Sequence, residues 1–307
     1  MEVITELEAV RPDGPSAVTI GFFDGVHRGH QAVIHRLVAA AEERDLRPVA
    51  VTFDRHPREV LTPSDVPGLL TTTARKAGLI EELGVDLLVV MPFDAEVASW
   101  PPERFVDDVL VERLGVAHAT VGANFTFGHR AAGTVEVLTD LGRARGFSVE
   151  GVGLLELEGR RISSTSIREA LAAGELEWPR VALGRRHVID GVVVSGAGRG
   201  DDLGWPTANL QTDPRVLLPA RGVYAGRGLL EEGAWPAAIN VGINPTFGEE
   251  PLHVEAFLLG FEGEIRGREL AIELWERLRD EERFESAEAL SRQIERDVER
   301  TRAVVSE

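Results

Sequence analysis

The chain of 307 residues has no cysteine and only one lysine, Lys76. The first absence excludes disulfides, thiolate metal centres and cysteine nucleophiles, and it fits a cytoplasmic protein. The second leaves almost no room for a mechanism built on a phosphate-loop lysine, since the other strongly basic residues are all arginine. Positive charge is scarce overall: 51 aspartates and glutamates outweigh 33 lysines and arginines, for a formal charge of −18. That balance argues against nucleic acid or an anionic membrane as the main partner, because both need a basic face. It leaves nucleotides open, since a phosphate site is local and needs only a few arginines, backbone N–H groups, a helix N-terminus and a bound cation. No apolar run approaches the roughly 20 residues that span a bilayer. The N-terminal segment carries Glu2, Glu6, Glu8 and Asp13 and no apolar h-region, which argues against a secretory signal. Nothing in the sequence sets an oligomeric state.

What is present suits two ordinary domains, each able to bury its own core, expected at residues 1–180 and 181–307. In the first, short apolar runs (Ser16 to Phe22, Pro48 to Phe53, Val85 to Val90, Ala117 to Val121, Phe147 to Leu155) alternate with helical patterns. Val33, Ile34, Leu37, Val38 and Ala41 share one helical face, and Pro101-Pro102 opens a second helix that aligns Phe105, Val109 and Leu114. Alternating β and α elements with strands apolar on both faces predict a Rossmann-like parallel sheet flanked by helices. Gly174 to Arg186 reads as a short connecting segment. Beyond it, six short strands near 187–195, 205–210, 222–229, 235–241, 253–260 and 269–276 are punctuated by turn residues, as in a small antiparallel barrel or sandwich. A final helix begins at Ser286, a suitable N-cap, with Leu290, Ile294 and Val298 on one face.

The first strand runs into GFFDGVHRGHQ, Gly21 to Gln31, and then into a helix. A strand, glycine turn and helix N-terminus at the carboxyl edge of a parallel sheet is where open α/β folds bind ligands. His27 and His30 lie three apart and would point the same way from an opening helix, able to donate hydrogen bonds to a phosphate gaining charge. A metal pair and two capping histidines are the alternatives, although helical zinc pairs usually sit at i, i+4 and no third ligand is evident. Further on, Ser163-Ser164-Thr165 precede a helix with Arg168 in its first turn, a suitable seat for departing phosphates. Ser166 with Glu169 also reads as a capping box.

His27-Arg28-Gly29-His30 resembles the HxGH nucleotidyltransferases. With TFDRHP (52–57), VGANFTFG (121–128) and ISSTSIREAL (162–171), the chain more narrowly resembles the prokaryotic bifunctional riboflavin kinase/FMN adenylyltransferase family, or FAD synthetases. For the first domain the resemblance implies adenylylation of FMN to FAD with His27 and His30 catalytic. It places ATP against Gly21, Phe22, Asp24, Gly29, Asn124, Arg161, Ser164, Thr165 and Arg168. The flavin falls against Phe53, Asp54 and Pro57, although Pro57 is also a plain strand terminator and Asn124 a plain turn residue.

In the second domain GVVVSGAGRGDDLGWPTANL (191–210) joins a glycine-rich loop to Pro206-Thr207-Ala208-Asn209. The loop is neither a Walker A sequence nor a GxGxxG fingerprint. Thr207 and Asn209 are hard oxygen donors two apart, able to hold Mg²⁺ together with ATP phosphates. The resemblance continues through RGVYAG (221–226), INVGINPTFG (239–248), VEAFLL (254–259) and LRDEERF (278–284). It implies a six-stranded antiparallel barrel with a C-terminal helix that phosphorylates riboflavin to FMN. Glu255 then stands as general base, with ATP at Gly196, Arg199, Gly200, Thr207 and Asn209 and the flavin near Arg279 and Phe284. Two departures bear on the kinase half. Ala197 and the acidic pair Asp201-Asp202 stand where relatives carry Asp and a basic residue, and Glu264-Ile265-Arg266-Gly267 lacks the family's tyrosine. The competing readings are an adenylyltransferase with a weak or inactive flavin-binding barrel and a non-catalytic flavin or nucleotide carrier.

Overall fold

The computed structural model describes residues 1–195, 205–243 and 252–306. The chain separates into two compact units, one of residues 1–69 and 73–164, the other of 70–72 and 165–307.

The first unit is built on six parallel strands, β1 (Glu2–Ile4), β2 (Ser16–Ile20), β3 (Arg47–Phe53), β4 (Leu87–Met91), β5 (Val116–Gly122) and β6 (Ser148–Val152). They lie in the order β1-β4-β3-β2-β5-β6. The sheet is buried on both faces, and period-2 alternation assigns the faces: Val49, Val51, Leu87, Val89 and Met91 enter one core while Ala50, Leu88 and Val90 enter the other. Helices α1 (Arg28–Arg44), α2 (Arg58–Leu61), α3 (Thr73–Glu81), α4 (Ala95–Ser99), α5 (Pro102–Phe105) and α6 (Val135–Arg145) connect the strands. Pro101 and Pro102 do open a helix, and α5 continues as a π-helical segment over Val106–Arg113. A hairpin of β7 (Glu156–Leu157) and β8 (Arg160–Arg161) follows the sheet. Strand β1 and the hairpin have no counterpart in the sequence reading, because two or three residues carry no periodicity.

Chain order fixes where a ligand can enter. From β2 the chain winds through β3 to β4, then crosses to the far side of β2 to form β5 and β6. The reversal lies between β2 and β5, so the crevice beyond their carboxyl ends is the topological switch point at which such sheets bind ligands.

The second unit begins with helices α7 (Ser164–Ala172, from its second residue) and α8 (Glu177–Leu183). The segment expected to be a simple connector is therefore mostly helix: Trp178, Pro179, Ala182 and Leu183 are buried, and the Trp178 indole donates to Ser166 Oγ at 3.3 Å. The same bond displaces the capping-box reading. Helix α7 already begins at Ser164, which puts Ser166 inside it and Arg168 just past its first turn.

Strands β9 (Val188–Val194), β10 (Ala208–Thr212), β11 (Gly222–Leu230), β12 (Gly233–Gly242), β13 (His253–Leu258) and β14 (Glu269–Arg279) close into an antiparallel barrel, in the order β10-β13-β12-β11-β14-β9. The barrel core is filled by the alternate residues of each strand, among them Ile189, Leu210, Ile239, Val254, Ala256 and Ile272. Gly226 marks a register shift between β11 and β14, and a Cβ there would collide with the Glu273 carbonyl.

Helix α9 (Ala287–Val305) is capped by Ser286, whose side chain accepts from the Ala289 N–H. Its buried Asp297 binds the Arg279 guanidinium on β14 in bidentate fashion, the Nη2 contact being 2.8 Å, and also accepts from Gln293 at 2.9 Å. Removing one partner of a buried pair strands the other charge. Asp297→Ala is therefore expected to lower the stability of this unit by about 3–5 kcal/mol, read as a fall in the urea midpoint of the barrel transition.

Candidate functional sites

In the first unit the seven residues after β2, Gly21 to His27, form a tight turn with Phe23, Gly25 and Val26 all at positive φ (53°, 77° and 41°). A β-branched valine in the left-handed region is a strained choice that persists only where packing over-determines it. Packing does so here: Phe23 and Val26 are both buried in the core beneath α1. The turn delivers His27 as the N-cap of α1, its Nδ1 accepting the His30 N–H at 3.3 Å. The capping role weighed from sequence is thus real, and it is compatible with chemistry. An accepting Nδ1 leaves the ring's N–H at Nε2.

The two imidazoles stack with centroids 3.6 Å apart and planes 16° from parallel. The His30 ring also packs edge-on against Phe23 at 5.3 Å. Burial holds His30 well below the usual histidine range, and the His27 ring and the Lys76 ammonium push it the same way. Gly29 is small for a reason: a Cβ there would sit 3.1 Å from the His27 ring. Gly29→Ala favours the helix by up to about 1 kcal/mol yet must displace His27. The expected result is an unchanged or raised melting temperature with a several-fold loss of the adenylyl transfer that the family resemblance implies, measured on the same preparation.

Of the other residues expected for this site, Gly21, Phe22, Asp24, Phe53, Asp54 and Asn124 stand at or just beyond the carboxyl ends of β2, β3 and β5, whereas Thr165 and Arg168 fall in the second unit. Gly21 and Phe22 lie directly after β2, and Asp24 is buried in the turn with its carbonyl accepting from Ser164 Oγ at 3.1 Å. Asn124 is exposed in the turn that leaves β5, across the switch point from β2. Phe53 ends β3 and packs edge-on against Phe93 at 5.3 Å. Asp54 follows, accepting from the Phe93 N–H at 2.9 Å and from the Arg55 guanidinium. Its partial burial opposes ionisation, but these donors outweigh it and keep the carboxyl below the usual carboxylate range. Pro57 does not end the strand; it is the N-cap of α2. Arg161 is exposed at the end of the β7–β8 hairpin, while Thr165 and Arg168 stand on α7. His56, 4.9 Å from Phe22 ring to ring, lies within the TFDRHP segment without an expected role, and Phe93 and Lys76 have no expected role because each comes to this edge from another element.

In the second unit the barrel register assembles the candidate site on the outer face. Asn209 on β10 is paired with Glu255 on β13, and Glu255 with Asn240 on β12, giving one cross-strand row. Neighbours in each strand (Ala208, Leu210, Val254, Ala256, Ile239, Val241) are buried inside, so the row faces outward together with Thr207. Strand β10 begins at Ala208, slightly later than expected, leaving Thr207 just before it. The Asn209 amide nitrogen lies 3.5 Å from the Thr207 carbonyl, which turns its amide oxygen the other way. His253 Nε2 lies 3.5 Å from Glu255 Oε1. Gly242, paired with His253, leaves room for the Glu281 carboxylate, which occupies the space a Cβ would take. Arg279 stacks over Phe284 at 5.6 Å while held by Asp297. Gly196, Arg199 and Gly200, like Ala197, Asp201 and Asp202, lie outside the described residues.

Two family models match the chain, FAD synthetase over residues 10–166 and riboflavin kinase over residues 183–305. A bifunctional riboflavin kinase/FMN adenylyltransferase of Pseudomonas fluorescens is 39% identical over 308 aligned residues, covering 100% of this chain and 98% of that protein. The chain belongs to the bifunctional riboflavin kinase/FMN adenylyltransferase family. The Bacillus subtilis member of that family is 36% identical, covering 92% of this chain and 90% of its own. A crystal structure described as a macrolide-efflux protein from Streptococcus pneumoniae superposes with a TM-score of 0.88, at 29% identity and 98% coverage of both chains. That description concerns that protein; the two enzymatic domains and the curated relatives set the family of this one. Among the described residues no helix is long and apolar enough to cross a membrane. The Rossmann-like sheet, the six-stranded barrel and the C-terminal helix are the architecture the family resemblance implied.

Proposed function

We propose that the chain phosphorylates riboflavin to FMN on the barrel, within residues 181–307, and adenylylates FMN to FAD on the sheet, within residues 1–180, with ATP as donor in both steps. The observation that carries this reading is the presence, on one chain, of a paired-histidine turn at a sheet switch point and an Asn209–Glu255–Asn240 row on a barrel.

In adenylyl transfer an FMN phosphate oxygen attacks the α-phosphorus of ATP, the bond to the β-phosphate oxygen breaks, and pyrophosphate leaves. No enzyme nucleophile is needed, so the protein contributes alignment and charge stabilisation. His27, with its proton on Nε2, and the buried neutral His30 donate to the α-phosphate as charge builds. Gly21, Phe22, Asp24 and Gly29 shape the approach of ATP, and Asn124 and Arg161 hold it. Ser164, Thr165 and Arg168 at the start of α7 receive the departing phosphates. Phe53, Asp54 and Pro57 face the flavin.

In the kinase step the ribityl 5′-hydroxyl attacks the γ-phosphorus and ADP leaves. Glu255 accepts the hydroxyl proton, which becomes strongly acidic only late in the transfer. Thr207 Oγ1 and the Asn209 amide oxygen are hard donors on one outward face, and they fit Mg²⁺, an ion that takes few protein ligands. When bound, Mg²⁺ screens the polyphosphate charge. Gly196, Arg199 and Gly200 are assigned to the ATP phosphates. Arg279, fixed by Asp297, sets Phe284 against the flavin.

Incubation of the pure full chain with riboflavin, ATP and Mg²⁺, followed by separation of flavins, tests the reading. FMN and then FAD are expected, and chelation of Mg²⁺ by EDTA should stop both. FAD from supplied FMN but none from riboflavin would select the inactive-barrel alternative, which the acidic Asp201-Asp202 pair and the missing tyrosine favour. No product from either flavin would leave only a carrier.

A further inference from the structure

The chain's one lysine is buried at the edge of the adenylyl site. Lys76 on α3 is 3% exposed. Its Nζ donates to the Phe22 carbonyl at 3.1 Å, to Thr52 Oγ1 at 2.9 Å and to the Phe53 carbonyl at 3.4 Å, which occupies all three N–H directions with uncharged oxygens. The ammonium also lies 4.5 Å from the centre of the Phe22 ring. Thr52 Oγ1 in turn donates to the Phe22 carbonyl at 3.0 Å. One cation therefore ties the first residues of the histidine turn to the last residues of β3, where the flavin-facing loop begins. Among the described residues its hydrogen bonds go to uncharged oxygens, which makes the buried ammonium costly to keep, and an arginine-rich chain that carries its only lysine there has a local reason to do so.

Resting on the adenylyltransferase reading, we propose that Lys76 is a positioning residue for adenylyl transfer, its charged ammonium holding the His27–His30 turn in register with the flavin loop. The groups that face it are Asp24 from the turn after β2, Asp54 from the end of β3 and His30 from α1. His56 lies on the Phe22 ring, and Arg75 and Glu81 stand on its own helix. Burial lowers the Lys76 pKa to about 8, against the pull of Asp24 and Asp54. Above that pH the amine loses one of its three N–H donors and its charge, and the tie slackens. FAD formation should then fall as pH rises through about 8, while the kinase step, which does not involve this lysine, keeps its own profile.

The experiment is a set of pH profiles from 6.5 to 10 on the full chain, with FMN-to-FAD and riboflavin-to-FMN turnover followed separately for wild type, Lys76→Met and Lys76→Arg. The expected results are an alkaline fall in wild-type FAD synthesis and a loss of about tenfold or more in its kcat at pH 7 for Lys76→Met, with a flat alkaline limb. In Lys76→Arg activity returns in part and the fall moves to higher pH, because guanidinium stays charged. Kinase turnover is unchanged throughout, and the thermal transition of the first unit, which holds Lys76, reports that each variant is folded. Wild-type FAD synthesis with no alkaline limb, or a Lys76→Met variant that keeps both rate and limb, overturns the proposal. Should Lys76→Met lose kinase turnover as well, the comparison of wild type with Lys76→Arg decides: an identical alkaline limb in the two overturns it. If wild type makes no FAD from FMN at any pH, the adenylyltransferase reading itself has failed, a result distinct from all of these.

Discussion

Replacing Glu255 by glutamine is expected to lower FMN formation from riboflavin by roughly 10²–10⁴, while FAD formation from supplied FMN continues at the wild-type rate. The substitution preserves size and keeps a hydrogen-bonding head on the outward row of the barrel, so Asn209 and Asn240 retain their neighbour. It removes only the capacity to accept a proton. Because the hydroxyl loses its proton late in phosphoryl transfer, the loss should appear in kcat far more than in the KM for riboflavin. Among the described residues, His253 makes an ion-pair contact to this carboxylate, its Nε2 3.5 Å from Glu255 Oε1. It lies on the same strand and cannot replace the base without changing register. An unchanged kinase rate in Glu255→Gln would remove this glutamate from the chemistry and leave the row as structure.

The complementary substitution, His30→Ala, is expected to lower FAD formation from FMN by about 10²–10³ and leave FMN formation untouched. The stacked geometry makes the effect two-fold in origin. One donor to the α-phosphate is lost, and the His27 ring loses the partner that holds it 3.6 Å away. His30 also carries a pH signature. Its folded-state pKa lies well below the ordinary 6.5, chiefly through burial. The unfolded chain therefore binds more protons than the folded one as pH drops below about 6.5. The stability this group contributes is in place above that pH and is lost as the pH falls through its folded value. His30→Ala should flatten that part of the acid-unfolding curve of the first unit.

Much of this organisation is legible in the sequence, and the exceptions have physical causes. The inner strands β2 to β5 announce themselves because both faces are buried, so each is a near-continuous apolar run such as the fully buried Leu87–Met91. The barrel strands alternate instead, and Ser286 declares the last helix through its cap. The helix Glu177–Leu183 was hidden by Pro179, which reads as a breaker, although it lies in the helix's first turn, where proline is tolerated. The start of α7 was misplaced because four consecutive hydroxyl residues, Ser163 to Ser166, offer several equivalent caps. For the sites, spacing could bring together His27 with His30 and Thr207 with Asn209, because each pair is local. It could not bring Asn240 beside Glu255 or Lys76 beneath Phe22, since barrel register and helix packing are set by contacts far apart in the chain. Positive φ at Val26 was equally invisible, as nothing in a valine announces a left-handed backbone.

The central claim is that one acidic chain carries two anion-handling sites, linked by the FMN that one makes and the other consumes. The direct test is to mix the two variants. Glu255→Gln and His30→Ala, each unable to convert riboflavin to FAD, are combined in equal amounts with riboflavin, ATP and Mg²⁺, and FAD is followed with time. The account predicts that neither variant makes FAD from riboflavin beyond a trace and that the mixture does so after a lag in which FMN accumulates. Full activity in either variant, or a mixture in which FMN forms and no FAD follows, would contradict it.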